Sequence, residues 1–292
     1  MNSIKLKGFA ALFLLLTVGS LQAQARGSGD EILQSEDLKN PVQSGSKTTY
    51  FDLLRQMFPD LQTDATAHRT IPFRSISELR KREAVTGDIK FDFKPYQFKS
   101  DGKHLLMLWI ELRADDANVG TPYEGEADVL AVFQMEPNVK LLDVMDVKTD
   151  RFTGFLEDRP LFHLDARSDA FIIYSTHWNA GESYLSVEML FVDAGRFKSI
   201  TSLFIYETKG CGANFTEKPD FRAVADPGRK YPKVLVRVKL RKDADEEGCE
   251  HPSRGFTRFY RGLYRWNASK GGYASGSRQL DQLEKFNRKR LY

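Results

Sequence analysis

The sequence lacks the short linear motifs by which many enzymes can be recognised. It contains no Gly-x-Ser-x-Gly elbow, no His-Glu-x-x-His helix, no P-loop and no dinucleotide-binding fingerprint. Its five histidines are scattered along the chain, whereas a zinc site needs three or four converging ligands. We therefore expect neither a metal site nor a cofactor.

Long apolar runs are also missing. The most apolar stretch, residues 9–18, has about ten residues, whereas a membrane-spanning helix needs about 20. Two lysines precede this stretch and an Ala-Gln-Ala sequence follows it, so residues 1–25 have the three parts of a secretory signal peptide. We expect an exported protein, periplasmic or extracellular, whose mature chain from Arg26 is soluble and has no transmembrane segment.

Only two cysteines are present, Cys211 and Cys249. In an exported protein they predict one disulfide bond. This bond would close a loop of about 39 residues and stabilise the fold by roughly 3 to 4 kcal/mol. The alternative is a catalytic thiol near His251, but it requires a thiolate that is protected in an oxidising compartment. We favour the disulfide.

Neither sign of charge is in large excess. The formal net charge is +3, of which Lys5 and Lys7 supply two charges, so the mature chain carries +1. Nucleic-acid binding usually requires a strongly basic face, and we therefore expect no nucleic-acid partner. Residues 229–242 and 285–290 are nonetheless basic. We interpret both segments as solvated faces of a strand and a helix, because the sequence does not show that they form one stripe.

Composition divides the mature chain into three parts. Residues 26–46 are rich in Gly, Ser, Asp and Gln, which predicts a disordered linker. Residues 47–87 are predicted to form a short helical segment. Residues 88–292 are predicted to form a β-rich repeat domain that ends in a helix.

The helical predictions rest on apolar spacing and capping residues. One apolar stripe at helical spacing consists of Tyr50, Leu53, Leu54, Met57 and Phe58, with Ser46 or Thr48 as the expected N-cap. A second short helix is expected from the capping-box sequence Ser75–Glu78 to about Glu83. A C-terminal amphipathic helix is expected from about Arg278.

The β-rich domain is organised around residues 161–209, its most strand-like stretch. Runs of Ile, Val, Phe and Tyr in this stretch fit a pleated, half-buried surface, and turns containing Gly, Asn and Asp separate them. This alternation predicts an antiparallel meander. Similar outlines begin at Phe98, Phe162 and Phe221, about 60 residues apart, which indicates three repeated units.

In each unit an aspartate-containing turn precedes a hydrophobic strand. The turns are Asp101-Gly102, Asp165 and Asp226-Pro227-Gly228. This outline resembles the blades of integrin-type and related bacterial propeller repeats over residues 98–279. Their calcium-binding Asp-x-Asp-x-Asp-Gly signature is missing here, and three units are fewer than the four to eight blades that close a propeller. The predicted fold class is mainly β, with propeller-like or sandwich-like antiparallel meander repeats, short N-terminal helices and a C-terminal amphipathic helix.

The best candidate for a binding site is the sequence around Trp178. His177, Asn179 and Glu182 flank this tryptophan at a predicted junction of strand and loop. An aromatic ring beside amide and carboxylate groups suits a sugar or a peptide, because the ring stacks while the polar groups orient the ligand. The alternative is a turn in which the tryptophan caps the end of the sheet and the asparagine shapes the bend.

These observations favour an exported binding or structural protein without catalytic residues, whose partner is a glycan, a peptide or another exported protein. The alternative is a secreted, glycosidase-like hydrolase that uses distant carboxylates such as Glu182, Glu126 and Asp128. Glycosidases need two carboxyl groups at roughly 5 to 10 Å and no linear motif. The hydrolase hypothesis therefore requires two carboxylates that face each other across a cleft.

Overall fold

The computed structural model describes residues 32–79, 82–114, 126–150, 152–179, 182–211, 214–244 and 254–291. Strands make up 57% of the described residues, so the protein is mainly β, as predicted. The signal peptide predicted for residues 1–25 lies outside the described residues.

Among the described residues, seven strands form the first sheet. They are β1 (Ala67–Arg69), β2 (Phe73–Ser75), β3 (Arg82–Glu83), β4 (Thr86–Ser100), β5 (Lys103–Ala114), β6 (Glu126–Gln134) and β7 (Lys140–Asp146). The spatial order is β1-β4-β5-β6-β7-β2-β3. Neighbouring strands are antiparallel, except that β2 runs parallel to β7.

In the described part of the chain, nine strands form the second sheet. They are β8 (Phe152–Phe155), β9 (Phe162–His163), β10 (Asp169–Asn179), β11 (Glu182–Asp193), β12 (Arg196–Thr208), β13 (Phe215–Val224), β14 (Lys233–Lys242), β15 (Phe256–Asn267) and β16 (Gly272–Ser275). The strands follow one another antiparallel from β16 to β10, with β8 and β9 both paired to β10. The predicted antiparallel meander is confirmed.

The central strands are apolar on both faces, and this sets the layering. On β5, Leu106, Leu108 and Ile110 belong to one buried cluster, whereas Met107 and Trp109 belong to another. Successive side chains of a strand point to opposite faces, so the first sheet must be covered on both sides. One cover is the N-terminal segment and the other is the second sheet.

The cluster between the sheets, here called the inter-sheet core, contains residues of both sheets. Its buried members are Tyr96, Phe98, Leu105, Met107, Trp109, Leu130, Val132, Met145, Val147, Phe171, Ile173, Leu190, Val192 and Phe197. Because this core lies between two sheets that face each other, the fold is sandwich-like.

The N-terminal segment packs on the far side of the first sheet. A 3-10 helix, Ser35–Lys39, buries Leu38, and the Leu33 amide donates a hydrogen bond to the Phe93 carbonyl at 2.8 Å. The prediction of a disordered linker over residues 26–46 is therefore wrong for its described part, residues 32–46. The few apolar side chains of residues 32–46 are enough to anchor this segment, because the first sheet has an apolar face that would otherwise be exposed.

The helix that follows, α1, spans Tyr50–Leu54. Its N-cap is Thr49 and not Ser46 or Thr48, the two residues expected. The Thr49 hydroxyl accepts a hydrogen bond from the Asp52 amide at 3.3 Å, and the Thr49 amide donates to the Asp52 carboxylate at 2.9 Å. This reciprocal pair is a capping box. The predicted apolar stripe is a core face, since Leu53 and Leu54 are completely buried.

One other sequence interpretation is wrong. The helix predicted from Ser75 does not form, because this residue ends β2 and pairs with Asp146 of β7. The phenylalanines that open the three predicted units are divided between the two sheets. Phe98 lies in the first sheet, whereas Phe162 and Phe221 both lie in the second.

The C-terminal helix α2, Gln279–Leu291, is formed as predicted and packs on the concave face of the second sheet. Leu280 and Leu283 are buried there. The helix approaches β15 so closely that a Cβ atom at Gly262 would lie 2.6 Å from Leu280. A side chain at Gly262 would therefore push the helix away from the sheet.

The end of α2 also closes a gap in the second sheet, because β12 and β13 pair only at Thr208 and Phe215. The buried Glu217 carboxylate accepts hydrogen bonds from the Tyr206 amide at 3.3 Å and from Asn287 at 2.8 Å. Asn287 also donates to the Phe204 carbonyl at 2.9 Å. These side chains replace backbone partners that the strands do not give each other.

We expect Phe171→Ala to lower the free energy of unfolding by about 3–5 kcal/mol, because it leaves a cavity in the inter-sheet core. Phe171 is fully buried, with its ring centroid 5.0 Å from that of Phe98. Urea denaturation followed by circular dichroism measures the loss. The control is Phe259→Ala, whose side chain is 49% exposed and which should cost less than about 0.5 kcal/mol. Equal losses in the two variants would contradict the packing described here.

Candidate functional site

The predicted binding residues lie at the end of the hairpin formed by β10 and β11. Asn179 pairs with Glu182, and His177 pairs with Tyr184. Because neighbouring side chains alternate between the faces of a strand, His177 and Trp178 project to opposite sides of the hairpin. The side chain of Asn179 is not among those described. The predicted residues thus lie close together at the end of one hairpin, but His177 and Trp178 do not line one pocket.

On one side of the hairpin, His177 is held by an acidic and an aromatic neighbour. Its Nδ1 atom lies 3.1 Å from the Asp150 carboxylate, and its ring stacks on Tyr184 with 4.9 Å between centroids. Tyr184 in turn contacts Phe204, over which the Arg288 guanidinium lies at 5.2 Å. This row of rings crosses three strands and fixes the orientation of the histidine.

On the other side, Trp178 is exposed. It is 66% exposed, and Phe152 of the edge strand β8 is 49% exposed. Phe152 lies directly opposite Thr176, which shares a strand face with Trp178, so the two aromatic residues are diagonal neighbours within reach of each other. Trp178 and Phe152 are named the exposed aromatic pair.

The sequence interpretation found Trp178 but missed its neighbours. Tyr184 could have been assigned from the register once a two-residue hairpin connection was assumed. Asp150, which lies 27 residues before His177, and Phe152 carry no sequence signal, because their positions depend on how β8 folds back onto β10.

A second polar cluster lies at the ends of β6 and β7. The buried Lys148 ammonium lies 2.9 Å from the Glu126 carboxylate and 3.5 Å from that of Asp128, which is also buried. The Lys148 amide donates to the buried Asp146 carboxylate at 2.9 Å. We name Glu126, Asp128, Asp146 and Lys148 the acid–lysine cluster.

Hydroxyl groups connect the following residues to the hairpin. The Thr149 amide donates to the buried Ser175 hydroxyl at 3.3 Å, and the Thr153 hydroxyl lies 2.9 Å from the same oxygen. Ser175 shares a strand face with His177, but its hydroxyl is occupied by the two threonines. The Ser175 hydroxyl therefore positions Thr149 and Thr153, and it is not arranged as a serine that a histidine activates.

Burial shifts the acidity of the carboxyl groups in this region. It raises the pKa of Asp128 to about 6, against the opposing effect of Lys148. It raises the pKa of Asp146 to about 7, although the Lys148 amide donates to this carboxylate. On β11, burial raises the pKa of Glu188 to about 7. These side chains accept protons near neutral pH because their charged forms lose hydration in the fold.

A pH dependence of stability follows from Asp146. Because its folded pKa lies above its unfolded value, the folded chain binds more protons between about pH 4 and pH 7, and stability falls as the pH rises through this window. We expect Asp146→Asn to be more stable than the native protein at about pH 8 and to lose this advantage at about pH 5. Urea denaturation at both pH values measures the difference.

The matched control is Asp220→Asn, because the Asp220 side chain is 58% exposed and its partner Arg237 stays charged over this window. We expect its effect on stability to be small and nearly independent of pH over the same window. If the native protein and Asp146→Asn changed equally in stability between about pH 5 and pH 8, this result would contradict an energetic cost of ionising Asp146.

The predicted disulfide falls partly outside the described residues. Cys211 lies at a turn after β12, whereas Cys249 is not described. Because Phe215 pairs with Lys242, the β12–β13 and β14–β15 connections, which carry the two cysteines, leave the sheet at the same end. The bond itself stays a prediction.

The described residues contain neither a cluster of metal ligands nor a membrane-spanning helix. Among them, no group of three or more His, Cys, Asp or Glu side chains is placed to hold a metal ion. No described helix has both the length and the apolar character of a membrane span. No protein-family model, curated protein or solved structure matches the chain, so any functional conclusion depends on the geometry above.

Proposed function

We propose that the protein is an exported, non-catalytic binding protein whose ligand contacts the exposed aromatic pair, Trp178 and Phe152. The observation that carries this proposal is the exposure of both rings, 66% and 49%, at the end of the β10–β11 hairpin. Exposing large apolar side chains costs free energy in water. Two of them side by side on a well-paired sheet are typical of a contact surface.

The ligand that fits this surface best is a glycan. The apolar face of a sugar ring stacks on an aromatic side chain, and nearby polar groups orient its hydroxyls. Glu182 shares a strand face with His177 and not with Trp178. The polar groups beside Trp178 are the hydroxyls of the half-exposed Ser183, directly opposite it, and Thr176. A peptide is the second candidate, because β8 lies at the edge of the second sheet and an extended peptide pairs with such an edge.

The acid–lysine cluster supports binding over hydrolysis. Glu126 and Asp128 both converge on Lys148, which ties them into ion pairs instead of placing them across a substrate cleft. Glu182 contacts a different group, Tyr206. Burial and the neighbouring Glu182 carboxylate raise the pKa of the Tyr206 hydroxyl. A glycosidase would need two of these three carboxylates to act on one bond.

Export is supported by the signal-peptide pattern of residues 1–25. The common sheet end of the loops that carry Cys211 and Cys249 fits a disulfide, which is stable in an oxidising compartment. Export and the disulfide therefore support each other in this proposal.

A screen of glycans tests the proposed ligand class. We expect a glycan to raise the thermal unfolding temperature of the native protein and to have at least tenfold lower affinity for Trp178→Ala and Phe152→Ala, because each variant removes one stacking surface. Thermal shift followed by calorimetric titration measures the effect. His177→Ala tests the opposite side of the hairpin and should bind within about threefold of the native protein, since only the exposed pair stacks on the sugar.

The control for this screen is Phe259→Ala, which removes an equally exposed aromatic ring from another strand. Its affinity should equal that of the native protein. Binding of peptides but not of glycans would overturn the ligand class. A ligand whose affinity does not change in Trp178→Ala and Phe152→Ala would overturn the site, and turnover of the ligand would overturn the non-catalytic role.

The disulfide is tested separately on protein purified from the exported fraction. We expect intact protein to react with no thiol reagent until it is reduced, and Cys211→Ser to unfold at lower temperature, because the loop closure that restrains the unfolded chain is lost. Mass spectrometry before and after alkylation measures the thiols. Two free thiols in the exported protein would contradict the bond.

A further inference from the structure

The outer face of β13, β14 and β15 gathers positive charge that the sequence distributes over three segments. On β14, Val234, Val236, Val238 and Leu240 are completely buried, so the alternate side chains face solvent. The exposed cations of the three strands on this side are Lys218, Arg222, Arg237, Lys239, Arg241, Arg261 and Arg265. These seven residues define the basic face.

Few carboxylates balance this face. Among the described residues of the three strands, Asp220 is the one acid that points to the same side, 3.0 Å from Arg237. Asp243, just beyond the end of β14, lies 2.5 Å from Arg241. For a chain with a formal net charge of only +3, seven cations on one sheet face are a strong local excess.

The register places like charges side by side. Lys218 lies directly opposite Lys239, and Arg237 lies directly opposite Arg261. Like charges directly opposite each other destabilise a sheet. An anion bound between these side chains would reduce the repulsion. Binding of a negatively charged partner would therefore stabilise this part of the sheet.

Apolar side chains lie among the cations. Phe259 is 49% exposed and lies beside Lys239, with the Arg237 guanidinium 5.8 Å from its ring. Leu235 and Leu263 pair with each other and are partly exposed in the next rows. From the spacing of strands and residues, the face is roughly 10 Å wide and 27 Å long.

We propose that the basic face binds the surface of an anionic phospholipid membrane. The cations contact lipid phosphates, while Phe259 enters the headgroup region, where an aromatic ring is favourably placed. A membrane fits better than a linear polyanion for two reasons. The cations spread over three strands in two dimensions, and a linear polyanion gains nothing from the exposed phenylalanine and leucines.

The basic end of α2 is not part of this surface. Leu280 of α2 packs against Gly262 on the concave side of the second sheet, so the helix lies on the side opposite the basic face. Lys285 and Lys289 are exposed there. They provide a control with the same change of charge at a different place.

Vesicle flotation tests the proposal on protein purified from the exported fraction in its processed form. The probes are vesicles of one part phosphatidylglycerol to two parts phosphatidylcholine, and vesicles of phosphatidylcholine alone. We expect binding to the anionic vesicles only, weaker at high salt. Lys239→Glu with Arg261→Glu should reduce it at least tenfold, because each basic residue near an anionic surface contributes about fivefold to affinity.

Three further measurements decide the outcome. Lys285→Glu with Lys289→Glu should bind within about twofold of the native protein, and Phe259→Ala should bind more weakly with the same salt dependence. Circular dichroism confirms that each variant is folded. Equal losses in the two charge-reversed variants, or equal binding to both kinds of vesicle, would overturn the proposal. Binding to heparin or duplex DNA without binding to anionic vesicles would also overturn it.

Discussion

The central strands of the first sheet are apolar on both faces, and the rest of the structure depends on covering them. On β6, Val129 and Ala131 belong to the core beneath the N-terminal segment, whereas Leu130 and Val132 belong to the inter-sheet core. Burial of apolar surface is the dominant favourable contribution to folding. A second sheet on one side and an ordered N-terminal segment on the other are the consequence.

The space between the sheets changes character along its length. At one end it is filled by rings such as Phe98 and Phe171. At the other end it holds buried Asp128, whose pKa burial raises to about 6. Ionised carboxylates are costly in such surroundings unless they are paired, and Lys148 provides that pairing for Asp128. The hairpin with Trp178 extends from this polar end, so the apolar core supports an exposed aromatic surface.

Local patterns in the sequence predict what local forces decide. The strands around residues 161–209, the apolar stripe at Leu53 and Leu54, and the C-terminal helix are all visible as periodicities. Pairing between distant segments is not visible as a periodicity. Whether residues 32–46 are ordered depends on an apolar sheet face that forms only when β4, β5 and β6 assemble. Which residues lie beside Trp178 depends on where β8 pairs with β10. The cations of the basic face likewise come from three strands, so no single segment reveals them.

The accessibility of Trp178 to a small quencher tests the central claim most directly, because the proposed function depends on one exposed ring at the hairpin end. The chain has three tryptophans, of which Trp109 and Trp266 are 5% and 8% exposed and Trp178 is 66% exposed. Acrylamide quenching of the ligand-free protein should therefore reveal one accessible component, which is absent in Trp178→Phe. Quenching that is unchanged in this variant would contradict the exposed aromatic surface and the binding role built on it.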